Sequence, residues 1–389
     1  MGRWTIAGII RGRVFLPVFL ALIVWVAEVS GKSTAEVVPR SNEIRVLLQV
    51  GKVEEAVAAS RRLITNPRTE FNTLLEVGQL LAERKILPEA RAAFTRAQEL
   101  NPRSFAAAFN LGYVYLQEAN FPQAQQMLGR AVSLDGRSFQ ANFLLGLALL
   151  RSGEKQKGLE QLRRAEKLEP NNPELLKFLA TQYNEAGLPN EALPLLERAL
   201  RTGRADAGLY VLLVETYRDV GDYSKALNTA IEAVEKIPRS ARLQFLRGTQ
   251  LQALGRFEES ARYFGKAVSL DPNFPEAYFA LAELAGRRGK DEEAIAAFRK
   301  AVTLRPDYAG ALLPLAESYR RVGDLQQAKE ALLQAARTDP GNPRYHLLLS
   351  QIYFLEKQYD QSRKEKETFL ELQRKQQLRS GMDGGSSHN

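Results

Sequence analysis

His346 and His388 are the only imidazoles in the chain, and there is no cysteine. The missing thiol excludes Cys-based nucleophiles, Cys-ligated zinc, iron–sulfur clusters, disulfides and a lipoprotein anchor. Two imidazoles are too few for a His-rich metal centre. Adjacent carboxylates, the raw material of general acid–base catalysis, occur at Glu54-Glu55, Glu258-Glu259 and Glu292-Glu293. All three pairs fall just after a turn, in the first turn of a helix, where acids complement the helix dipole. A phosphate-cradling Gly-rich loop, a G-x-S-x-G elbow and an H-E-x-x-H helix are all lacking. The sequence therefore predicts no catalytic, cofactor-binding or metal-ligating residue, and no cofactor.

The charge points the same way. Lys and Arg number 54 against 45 Asp and Glu, a net +9. Basic and acidic residues are interleaved along nearly every segment, whereas a nucleic-acid surface collects its cations on one face. The recurring cations Arg96, Arg130, Arg164, Arg198, Lys266 and Lys300 share one phase of a repeat and read as solvated positions. Nucleic acid is not an expected partner.

The first 31 residues differ from the rest. Arg3, Arg11 and Arg13 precede a 14-residue uncharged apolar run, Val14 to Ala27, which Glu28 ends. A basic start before an apolar core of this length is a secretory pattern, and it falls short of the about 20 residues of a membrane span. Cleavage is expected before Lys32, leaving an exported protein, periplasmic or extracellular. The alternative is an uncleaved anchor, with membrane contact through residues 1–31 alone and the repeats still outside the cytoplasm. Residues 32–40 read as a linker and 377–389 as a disordered tail.

Between these ends a step of 34 residues governs the sequence. Alanine recurs at Ala97, Ala131, Ala165, Ala199, Ala233, Ala267, Ala301 and Ala335. Seven places earlier the residue is always small, from Ala56 to Ser362. Five places before that stand Gly51, Gly153, Gly187, Gly221, Gly255, Gly289 and Gly323, with Lys85, Ala119 and Lys357 as exceptions. Pro102, Pro170, Pro238, Pro272, Pro306 and Pro340 mark the end of the unit. A further column runs Gly78, Gly112, Gly146, Ala180, Val214, Gly248, Ala282, Ala316, Ser350.

These columns imply two helices per unit. Glycine permits the positive φ of the turn between them. Proline stops the second helix, and the small residues let helices approach closely. No unit buries its faces alone, so stability is shared between neighbours. Pro39 is expected to delay the first helix, with Ser41 as its N-cap.

The pattern resembles the tetratricopeptide repeat family, with the columns at positions 8, 15, 20, 27 and 32 of the unit. Ten units fit without an insertion from residue 37 to 376. The resemblance implies an all-α, right-handed α-solenoid of about ten 34-residue helix-turn-helix units, placed here at 41–376. It also implies that positions 2, 5, 9, 12 and 13 of each first helix face a concave groove that holds a protein or peptide partner. In this chain those positions are apolar at Phe109, Tyr113, Leu116, Phe143, Leu147 and Leu150. Phe245 and Phe279 continue position 5. Around them lie the charged residues Lys177, Arg218, Arg242, Arg320 and Arg321. The carboxylate clamp of chaperone-binding members does not carry over, because Lys177 is followed by Thr181 and Leu212. The expected function is a non-catalytic interaction scaffold outside the cytoplasmic membrane, with envelope assembly, secretion or polysaccharide export as its setting.

Overall fold

The computed structural model describes residues 38–383. The expected export segment, residues 32–37 of the linker and residues 384–389 lie outside them. Among the described residues there are twenty helices and no strand. The chain divides into two compact units, Met1–Ala205 and Asp206–Asn389. The N-terminal unit holds α1 (Val38–Gln49), α2 (Val53–Thr65), α3 (Phe71–Glu83), α4 (Leu87–Leu100), α5 (Phe105–Gln117), α6 (Phe121–Leu134), α7 (Phe139–Arg151), α8 (Lys155–Leu168), α9 (Pro173–Glu185) and α10 (Pro189–Arg201). The C-terminal unit holds α11 (Ala207–Asp219), α12 (Tyr223–Lys236), α13 (Ala241–Ala253), α14 (Phe257–Leu270), α15 (Pro275–Arg287), α16 (Asp291–Leu304), α17 (Ala309–Arg321), α18 (Leu325–Thr338), α19 (Pro343–Leu355) and α20 (Tyr359–Asp383). Each unit is thus a stack of five helix pairs, one pair per 34-residue repeat.

Local chemistry explains where helices begin and end. Ser104, Ser138, Asn172 and Asp206 each accept a hydrogen bond from the backbone N–H three residues on, at 3.2, 3.2, 3.1 and 2.8 Å, and so cap the first helices that follow. The turn within a pair needs a residue at positive φ. Glycine supplies it at seven repeats, with φ from 71° to 90°. The three exceptions keep the same backbone, with Lys85, Ala119 and Lys357 at φ 59°, 57° and 61°. The turn is therefore set by the packing of the pair, and the side chain follows it.

Inside each pair, glycine at position 8 lets the second helix come close. A Cβ on Gly78 or Gly248 would lie 2.5 Å from the ring of Phe94 or Phe264, and one on Gly112 or Gly146 would lie 2.7 or 2.8 Å from Leu128 or Leu162. The compensation reverses in the pair α11–α12, where position 8 is Val214 and the place of the large residue is taken by Ala230, both fully buried. Ser260 and Ser362, at position 20, donate at 2.8 Å to the carbonyls of Gly248 and Ser350. The eight alanines from Ala97 to Ala335 are all fully buried. Neighbouring pairs within a unit are also tied by ion pairs such as Arg61–Glu89, Arg198–Glu166, Arg288–Glu258 and Lys329–Glu356.

The ends differ from expectation. Helix α1 starts at Val38, so Pro39 lies in its first turn, where a missing N–H costs nothing. Ser41 is consequently a buried residue within the helix and not its cap. Helix α20 continues to Asp383, past the tail boundary expected at 377. The residues running into that boundary, QRKQQ at 373–377, are strong helix formers that carry the helix through it, and Lys375 pairs with Glu371 one turn earlier.

Candidate functional site

The face implied by positions 2, 5, 9, 12 and 13 divides by unit. In the N-terminal unit it is most apolar on α5 (FAAAFNLGYVYLQ) and α7 (FQANFLLGLALLR). A helix apolar on all sides must be buried on all sides. Nine of the thirteen residues of α5 and ten of the thirteen of α7 are buried, against five in α15, which has the ordinary one-sided pattern. Phe109 is 1% exposed, Leu116 1%, Leu147 4% and Phe143 8%. Phe109 stacks on Phe105 at 5.6 Å and Phe143 on Phe139 at 6.0 Å, while Phe143 also meets the edge of Phe178 at 6.0 Å. Leu150 is half-buried and covers Gly158, where a Cβ would come within 2.8 Å of it. Tyr113 is half-buried, and burial pushes its phenol above the usual range. Lys177 is buried with its ammonium 3.2 Å from Glu174.

In the C-terminal unit the same positions are more open. Phe245 is half-buried, with Phe264 at 5.3 Å and Phe274 at 5.0 Å. Phe279 is half-buried between Phe298 at 5.7 Å and Tyr308 at 5.3 Å. Both rings therefore serve the packing between successive pairs as well as the face. Arg218, Arg242, Arg320 and Arg321 are exposed. Arg242 lies 4.0 Å from Glu215, whose carboxyl is pushed up by burial and drawn back by Arg242 and Arg218. Burial likewise raises Glu283, opposed by Arg287. Arg321 is committed within the fold, donating to Asp291 at 2.8 Å and to Ser318 at 2.9 Å.

The structure thus brings the apolar candidates together on α5 and α7, and it assigns Arg321, Phe245 and Phe279 structural contacts that spacing alone did not reveal. It also adds Phe105, Phe139, Phe178, Phe274 and Tyr308. For four of them the signal was an aromatic recurring one 34-residue step apart at the entrance to the first helix, Phe105 with Phe139 and Phe274 with Tyr308, whereas Phe178 lies inside α9 and off that step. His346, at position 4, pairs with Glu365 at 2.6 Å. Among the described residues, no three His, Asp or Glu side chains form a group able to hold a metal ion. No described helix is long and apolar enough to cross a membrane. What the α5–α7 face offers chemically is a set of apolar and aromatic side chains packed together.

Two tetratricopeptide repeat family models match the sequence. One aligns at residues 42–105, 78–120, 109–173 and 245–309, and the other at 287–352, together more than half of the chain. None of the curated proteins matches by sequence. Among solved structures, the C-terminal part of a TPR repeat-containing protein from Cytophaga hutchinsonii is 16% identical with a TM-score of 0.54, covering 62% of this chain and 99% of its own. MamA from Desulfovibrio magneticus is 21% identical with a TM-score of 0.40, covering 43% of this chain and 95% of its own. Human IFIT1, solved as a dimer with PPP-AAAA, is 17% identical with a TM-score of 0.37, covering 85% of this chain and 89% of its own.

Proposed function

The chain belongs to the tetratricopeptide repeat family of protein-interaction scaffolds, and on that footing we propose that it takes an apolar segment of a protein partner on the first-helix face of α5 and α7, outside the cytoplasmic membrane. The observation that carries the reading is the all-round apolar character of those two helices. A scaffold helix that met only its own neighbours would need one apolar side; these two carry a second. Aromatic anchors in a desolvated patch are the usual source of binding energy. The basic start and the 14-residue apolar run of residues 1–31 support delivery across the membrane, and membership of a complex for envelope assembly, secretion or polysaccharide export suits a non-catalytic scaffold there.

The test is a titration with a partner first identified by crosslinking in the native envelope. Tyr113→Asp places a charge on the face at a half-buried site, and it should weaken binding at least tenfold, about 1.4 kcal/mol. Tyr223→Asp, on an exposed second-helix position, should leave it unchanged. Equal effects from both would count against the face.

A further inference from the structure

The C-terminal unit carries a recurring ion pair that is broken once. Glu215 on α11 lies 4.0 Å from Arg242 on α13, and Glu317 on α17 lies 2.7 Å from Arg344 on α19. In both, a glutamate at position 9 of one first helix meets an arginine at position 2 of the next. Where position 9 is Thr249, position 2 is an acid, Glu276. Glu283 on α15 repeats the glutamate, but position 2 of α17 is Gly310. Among the described residues this half-buried carboxylate has no hydrogen bond or ion pair. We propose that Glu283, with Phe279 and Tyr308 beside it, receives an arginine side chain carried by a segment of a protein partner, which supplies the cation that the sequence leaves out at Gly310.

Phe279 and Glu283 are four residues apart on α15 and so share a face. The ring of Phe279 lies 5.3 Å from that of Tyr308, and both are half-buried. A Cβ on Gly310 would meet nothing but the Tyr308 ring, at 3.3 Å, so the way to Glu283 past position 310 is walled by an aromatic side chain. The surrounding cations are committed elsewhere. Arg305 pairs with Glu276 and lies over Tyr308 at 4.9 Å. Arg321 donates to Asp291 at 2.8 Å, and Arg287 lies over the Phe257 ring at 5.5 Å. Burial raises the Glu283 carboxyl above its ordinary value and prevails over the opposing charge of Arg287. A half-buried carboxylate of this kind gains from a cation brought to it. A guanidinium meets it with charge and meets the aromatic rings with its flat face, and arginine is the residue the fold itself uses at the two intact junctions. A protein segment suits the site better than a small cation, because the position 5 residues Phe245, Leu313 and Leu347 on the neighbouring first helices are half-exposed too and extend the apolar contact to either side. The slot lies in a different unit from α5 and α7, so its failure leaves the function proposed for that face standing.

The probes are two short fluorescent peptides of leucine, serine and glycine around one central residue, arginine in the first and citrulline, its uncharged isostere, in the second. Titrated into the full chain, the arginine peptide should bind about fivefold more tightly, the combined effect of a modest ion pair and a cation–π contact. Glu283→Gln removes the carboxylate and Gly310→Arg fills the slot from within, and each should erase that preference. Glu292→Gln, which removes an exposed carboxylate from α16, should keep it. Equal binding of the two peptides, binding of neither, or a preference that survives Glu283→Gln overturns the inference. Free arginine amide that displaces the arginine peptide at equal concentration would assign the slot to a small cation and overturn it as well. A second readout needs no peptide. In urea melts, Gly310→Arg should raise the midpoint more in the native background than in the Glu283→Gln background. Equal shifts in the two would show that a side chain at position 310 does not reach Glu283, and the slot would fall with it.

Discussion

The pairing of Gly112 with Leu128 can be tested by exchange. A Cβ on Gly112 would sit 2.7 Å from Leu128 Cγ and 3.0 Å from both its Cδ2 and its backbone nitrogen, whereas carbons in contact prefer about 3.5–4.0 Å. Gly112→Val therefore forces the helices apart or Leu128 off its rotamer, an overpacking cost of about 1–3 kcal/mol. Leu128 is fully buried, so Leu128→Ala leaves a cavity and costs about 2–5 kcal/mol. The double variant has the composition already present at Val214 and Ala230, with the same total of side-chain carbons as the native pair. Volume-conserving exchanges cost less than about 1.5 kcal/mol. Gly112→Val should thus switch from destabilising in the native background to stabilising in the Leu128→Ala background, with a coupling of about 2 kcal/mol or more. Contacts in a repeat stack are local and unfolding need not be two-state. The readout is therefore hydrogen exchange of the amides of α5 and α6, supported by urea melts followed by circular dichroism. Additivity of the two single changes within about 0.5 kcal/mol would refute the packing argument.

Other expectations follow from the same geometry. Ala119→Gly should stabilise the turn between α5 and α6 by about 0.5–1 kcal/mol, because Ala119 is held at φ 57°; a urea midpoint that falls would contradict this. Gly153→Ala should lose about 1 kcal/mol, and purely through its backbone, since φ is 90° and no atom lies within 4 Å of an added Cβ. Glu283 is raised above the ordinary 4.5 by burial. Its folded form holds the proton to higher pH than the unfolded chain, so its contribution is fully present below 4.5 and is lost as pH rises through the folded value. Urea melts across pH 4 to 8 should accordingly show Glu283→Gln gaining on the native chain as pH rises, by less than about 1 kcal/mol for a half-exposed group.

Much of the fold was legible because the repeat imposes one packing problem ten times over. The alanines at position 27 and the glycines at position 15 mark contacts that admit no larger side chain and a turn that favours no Cβ. The exceptions at Lys85, Ala119 and Lys357 could be seen as breaks in a column, but only the backbone shows that they adopt the strained φ all the same. The ends were less legible. Pro39 reads as a helix breaker, yet it fits a first turn, and residues 377–383 read as a tail although the helix-forming run before them carries α20 on to Asp383. The site was half legible. Spacing placed Phe109, Tyr113 and Phe143 on one face, but burial depends on what each ring meets. Phe245 and Phe279 meet Phe274 and Tyr308 at the mouth of the next pair, and no pattern within a single helix could reveal that. Arg321 looked like a groove cation until its bond to Asp291 on α16 was seen.

The central claim is that the α5–α7 face receives an apolar segment of a protein partner. A photo-crosslinking amino acid at position 113, with the same probe at position 223 as control, tests it directly in the chain starting at Lys32, produced in its own cells. The account predicts a crosslink from position 113 alone, mapping to a predominantly apolar stretch of one partner protein. A crosslink from position 223 and not 113, or one from 113 that maps to a charged surface, would contradict it.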